Sequence, residues 1–171
     1  MTLRIVLVVL VCALLSILES VAPFLFHLRS ARADLLLSVV LYLALHDDVI
    51  EGALLSAIAG WLSDLTSATP HFLYTLLAVL TFVVVRTAGS ALRTDGGAQS
   101  AAVAFGASLV HSVLATLLFG FFTGAGFHLG IPQLLWSALG TALAAPFVFF
   151  VLKKLDSIFL PTEGPGLGRA R

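Results

Sequence analysis

Three ionisable side chains fall within long apolar runs of this chain: Glu19, Asp64 and His111. A carboxylate or imidazole at membrane depth is costly unless it is paired, hydrated or protonated, so each of these groups needs a partner. The loops are too short to hold a soluble catalytic domain, and any catalysis would have to use these three groups. There is no phosphate-cradling glycine loop, no zinc-spaced histidine pair, and no Ser or Cys nucleophile near a base. On a helix His111 shares a face with Ser108, Ser112 and Ala115. A lone histidine on such a face more commonly bonds a neighbouring Ser or a backbone carbonyl than it catalyses a reaction. His46, Asp47, Asp48 and Glu51 form a compact acidic turn. A three-carboxylate metal site is conceivable there, but adjacent acids in a tight loop are more simply read as solvated. No cofactor and no metal are expected.

The most organised stretch runs from Glu51 to Asp64, where Gly52, Ser56, Gly60 and Asp64 fall four apart. On a helix they form one stripe, and small residues at that spacing let another helix backbone come close. Asp64 has no Lys or Arg within ten residues. It also sits at the C-terminal end of its own helix, where the dipole disfavours an anion. Such local conflicts are expected at functional or strained positions. The stripe and Asp64 are therefore the candidate partner-binding and packing residues. Glu19, Asp34, Pro70 and His111 are candidate structural polar positions.

The elements that carry these residues follow from apolar runs. Of 171 residues, 60% are hydrophobic and 11% charged, and mean hydropathy is +1.10, well beyond a soluble domain. Formal net charge is zero, so there is no basic footprint for nucleic acid. The single Cys12 excludes an intrachain disulfide and reads as a small packing residue.

The first spanning helix is predicted over Ile5 to Leu28, with cleavage as a signal peptide disfavoured by Pro23 and Glu19. Cys12, Ser16 and Ser20 give it a close-packing face; Glu19 beside that face points either into the bundle or to the headgroups. Arg29 and Arg32 flank a short loop. Asp34 then caps a second helix of about 24 Å if counted from Ala31 to His46, too short to span without local thinning or shielding by neighbours. The third helix carries the stripe. Thr69 and Pro70 suit the start of a fourth helix, running from Phe72 through Val85, with Arg86 and Arg93 snorkelling to headgroups.

Thr94-Asp95-Gly96-Gly97 is a turn, and a fifth helix is predicted from Gln99 to Phe122. Gly120, Gly124, Gly126 and Gly130, ending at Ile131-Pro132, read as a loop. A sixth helix follows from Gln133 to Leu155, with Ser137, Thr141 and Ala145 as a third small-residue stripe and Pro146 as a kink. Residues 1–160 thus form one six-helix transmembrane domain, and residues 161–171 a Pro/Gly-rich, disordered cytoplasmic tail. Seven of nine basic residues lie on one side if both termini are cytoplasmic, which the positive-inside rule favours.

Ala33-Asp34-Leu35, Gly60-Trp61-Leu62-Ser63-Asp64-Leu65 and Ser67-Ala68-Thr69-Pro70 resemble the rod shape-determining protein MreD family. That family typically shows Pro-Asp-Leu opening its second helix and Gly-x-x-x-Asp leading into a Ser-Gly-Thr-Pro-like turn. Here Ala33 replaces the Pro, Ala68 the turn Gly, and Phe72 the Gly that usually follows. Asp34, Gly60, Asp64 and Pro70 are kept, and the resemblance covers essentially the whole chain. It implies an inner-membrane, non-enzymatic scaffold or regulator of the peptidoglycan elongation machinery, beside an MreC-like protein, the actin-like MreB, RodA and a transpeptidase. It also implies an all-α fold similar to the substrate-binding subunits of energy-coupling-factor vitamin transporters, whose small-ligand binding is the alternative function.

Overall fold

A computed structural model describes residues 2–26, 34–67, 72–89, 97–124 and 130–159. They form six helices: α1 Thr2–Phe26, α2 Leu35–His46, α3 Val49–Thr66, α4 Leu73–Ala88, α5 Gly97–Thr123 and α6 Ile131–Phe159. No strand occurs among the described residues. Four helices, α1, α3, α5 and α6, are long and apolar enough to cross a bilayer. The chain is an all-α, multi-pass membrane protein.

The two short helices explain the architecture. Leu35–His46 has 12 residues, about 18 Å at roughly 1.5 Å per residue, well under the ~30 Å of a hydrocarbon core. Its residues Leu36 to Ala44 are all buried, and α1, α3, α4 and α6 all pack against it. This helix meets protein rather than lipid, so it can be short provided its ends are satisfied by its neighbours. Of the two ways to accommodate its length, shielding is the one used. Around it, the outer faces of α1, α5 and α6 carry Leu10, Leu14, Ile17, Val110, Leu143, Phe147 and Phe150, all exposed, as a lipid-facing surface requires.

The small residues sit at the closest approaches. A Cβ on Gly60 would lie 2.5 Å from the Tyr74 carbonyl oxygen and 2.7 Å from Thr75 Cα, so α3 and α4 touch backbone to backbone. A Cβ on Gly52 would meet the Phe82 ring at 2.7 Å. Cys12 and Ser16 are buried on α1, with Ser16 Oγ 3.4 Å from Thr66 Oγ1 of α3. Ser20 instead donates to its own helix at Ile17.

Several boundaries depart from the sequence reading. The described part of α4 begins at Leu73 rather than Phe72, because Phe72 takes a left-handed conformation (φ 68°) that a helix interior forbids. Gly120 lies inside α5, and Ile131 and Pro132 lie inside α6. Pro132 fits because first-turn amides have no intrahelical acceptor to lose. Gly124, with φ 65°, is where α5 ends. Pro70, Arg29, Arg32, Arg93, Gly126, the Thr94–Gly96 turn and the tail from 161 lie outside the described residues.

Candidate functional site

Polar groups gather at the two ends of the buried helix α2, and each gathering joins several elements. At the N-terminal end, Asp34 Oδ1 accepts from the Leu37 amide at 2.8 Å, the N-cap bond its position predicts. Glu19, from α1, accepts from the amides of Leu35 and Leu36. It therefore points into the bundle, and together the two carboxylates satisfy three of the four amides that a helix start leaves open.

His111 joins the same centre from α5. Its Nδ1 lies 3.0 Å from Thr81 Oγ1 of α4, and its Nε2 lies 3.4 Å from Asp34 Oδ2. The Asp34 amide donates to Thr141 Oγ1 of α6 at 3.0 Å, and the Thr141 hydroxyl donates to Ser137 O. The partners of His111 thus come from other helices, not from the neighbouring serines. Hydroxyl, imidazole and carboxylate in line is the composition of a hydrolytic triad, but Thr81 is only 2% exposed. Here the three groups tie helices together.

Asp64 repeats the Glu19 arrangement one hairpin later. Its two oxygens accept from the Tyr74 amide (2.9 Å), the Thr75 amide (3.0 Å) and the Thr75 hydroxyl (2.7 Å). The conflict with its own helix dipole is resolved by the opposite pole of α4, where an anion is stabilised. Twice, then, a carboxylate near the end of a long helix caps the start of the short helix that follows. Of the stripe just before Asp64, Gly60 faces α4 and Gly52 faces Phe82 of α4 and the Leu43 carbonyl of α2, within the same chain, and Ser56 between them is buried.

At the opposite end of α2, Arg4 of α1 donates to Asp47 (2.5 Å), Glu51 (3.0 Å) and Asp156 of α6 (2.7 Å). The second Asp156 oxygen accepts from the Tyr42 hydroxyl at 2.6 Å, and the Tyr42 ring stacks on His46 at 4.4 Å. Arg86 donates to the Ala44 and Asp47 carbonyls at 3.0 and 2.7 Å. It caps the C-terminal end of α2 instead of snorkelling outward. The acidic turn is only partly solvated: Asp48 is exposed, but Asp47 is 5% exposed. Burial pushes the Asp47 carboxyl above its ordinary value, against the opposing pull of Arg4. No group of three or more His, Cys, Asp or Glu among the described residues has metal-site geometry.

The sequence reading missed Thr81, Tyr42 and Asp156, took Thr141 only as a small packing residue, and missed Arg4 as an ion-pair hub. Their partners are 30 to 152 residues away in sequence, so no local spacing could pair them. The one usable signal was arithmetic: three acids at the α2–α3 turn require a cation at the same end of the bundle, and Arg4 is the basic residue that opens α1.

No curated protein and no solved structure matches the chain. A family model for the rod shape-determining protein MreD matches residues 1–155. That span takes in α1 through most of α6 and both polar ends of α2, including the Asp34 and Asp64 caps on which the resemblance rests; the chain belongs to the MreD family.

Proposed function

We propose that this protein is a non-enzymatic scaffold and regulator of the peptidoglycan elongation complex in the bacterial inner membrane. Membership of the MreD family carries a role in rod shape determination, and the match over residues 1–155 is the observation that supports the reading. Its working partners are an MreC-like protein, MreB, RodA and the elongation transpeptidase. The MreC-like protein contributes a single spanning helix that docks on the bundle. The chemistry supports a scaffold: Glu19, Asp64 and His111 bond across helices, and Asp34 caps α2 while its amide donates to Thr141 of α6. The alternative of a vitamin-binding transporter subunit is not favoured by the family.

Arg4 and Asp156 meet through a 2.7 Å hydrogen bond, so the start of α1 and the end of α6 share one end of the bundle. We assign that end to the cytoplasm from the positive-inside bias. Depletion in a rod-shaped host should round or widen the cells, and purification from membranes should recover the MreC-like protein. Normal shape after depletion, with uptake of a vitamin lost instead, would sink the scaffold reading.

A further inference from the structure

We propose that His111 is a proton-operated latch that draws α5 against α2 and α4, so that the groove between α4 and α5 changes width with pH. Helix α5 packs chiefly on α6 and only lightly on α4 and α2. Between α4 and α5 lies an apolar groove of about 370 Å³, bordered by Thr81, Val84 and Val85 on one side and Gly106, Ala107 and Val110 on the other. Thr81 is therefore both a groove residue and the partner of His111, and Val110 is the chain neighbour of His111. A Cβ on Gly106 would meet nothing within 4 Å, so there is room for α5 to move.

The surroundings of His111 accommodate the ring in both protonation states. In the neutral state, Nε2–H faces Asp34 Oδ2 at 3.4 Å and the Thr81 hydroxyl donates to Nδ1. In the protonated state, Nδ1–H donates to Thr81 Oγ1, and the hydroxyl turns to the carbonyl one helical turn back, at Leu77. Neither state leaves a buried polar atom without a partner; what opposes protonation is the burial of the charge, and the Asp34 carboxylate beside the ring offsets it. What changes is charge. The 3.4 Å separation from Asp34 is longer than an ordinary N–H···O bond of 2.7 to 3.2 Å, and an imidazolium shortens it.

Among the described residues, the charged groups facing His111 are of one sign. Asp34 at the start of α2 is in contact, and Glu19 of α1 lies on the next two amides of that helix. Helices α4 and α6 bring the uncharged Thr81 and Thr141 to this centre.

The test uses the full chain in phosphatidylethanolamine and phosphatidylglycerol nanodiscs, with Cys12→Ala and spin labels on the exposed positions Thr87→Cys and Gln99→Cys. The label-to-label distance should shorten by about 1 to 2 Å, the scale of a helix shift, between pH 8 and pH 5. His111→Gln and Asp34→Asn should each abolish the response. An unchanged distance in the otherwise native protein, or a response that survives in His111→Gln, overturns the latch. If His111→Gln does not fold, ¹⁵N-histidine spectra of the native chain decide it: the His111 ring gaining a second protonated nitrogen by pH 5 supports the latch, and a single neutral tautomer throughout refutes it.

Discussion

Replacing Asp64 with Ala removes the acceptor of two backbone amides and one hydroxyl at the start of α4, at 2.9, 3.0 and 2.7 Å. The Thr75 hydroxyl can rotate to another acceptor; the Tyr74 and Thr75 amides cannot. Loss of a helix cap costs about 0.5 to 2 kcal/mol, and a buried amide left without an acceptor about 1 to 3 kcal/mol. Asp64, Tyr74 and Thr75 are only half-buried, so water recovers part of this. Asp64→Ala should therefore destabilise by about 1 to 3 kcal/mol. Asp64→Asn keeps one of the two acceptor oxygens but sets an NH2 against the other amide, so it should lose one hydrogen bond, about 0.5 to 1.5 kcal/mol, together with part of the charge–dipole contribution. Reversible unfolding in mixed micelles, followed by circular dichroism, gives the order native, Asn, Ala. Combining Asp64→Ala with Thr75→Ala should show a coupling of about 0.5 kcal/mol or more, since the hydroxyl contact is counted in both single variants. If Asp64→Ala unfolds at the same denaturant fraction as the native chain, the cap contributes nothing and the structural role given to Asp64 fails.

Gly60→Ala should destabilise by about 1 to 3 kcal/mol because its Cβ would meet the α4 backbone at 2.5 Å, while Gly106→Ala, with open space around it, should gain up to about 1 kcal/mol from helix propensity; the same unfolding assay separates them. Phe72→Gly should stabilise by about 1 kcal/mol, since Phe72 is 68% exposed yet held at φ 68°, where a side chain is strained. Arg4→Gln leaves Asp47, Glu51 and Asp156 facing one another and should cost about 3 kcal/mol or more at pH 7. The loss should shrink as pH falls, because burial already raises the Asp47 carboxyl and removing the opposing cation raises it further; melting curves from pH 5 to 8 read this directly. Reporter fusions after Arg93 and after Arg171 should both report cytoplasm and a fusion at Gly126 the periplasm; Gly126 and Arg93 on the same side would break the six-helix topology.

Helix number was legible because lipid-facing and buried helices are both apolar, and apolar runs separated by turns can be counted directly. Asp34 as a cap was legible for a local reason, since its acceptor and the Leu37 amide are three residues apart. Asp64 was legible only as a problem: a carboxylate at the wrong pole of its own helix signals a missing partner, but the partner belongs to the next helix. Arg86 was misread because a cation near a helix end can reach headgroups or carbonyls equally well, and only the placement of α2 decides between them. The family's glycine replaced here by Phe72 could be noted in the sequence, whereas its physical meaning needed the φ angle.

The enclosed helix α2 imposes an order on biogenesis. Twelve residues are too few to be held stably across a bilayer alone, and the groups that secure its ends include Arg86, Thr141 and Asp156, all synthesised well after it. A nascent chain that has released only its first two helices therefore carries Arg4 without Asp156 and Asp34 without Thr141. Until α6 leaves the ribosome, α2 should therefore be held less firmly than in the finished bundle. Truncations that stop before Asp156 should consequently be cleared by membrane proteases rather than accumulate as shortened bundles.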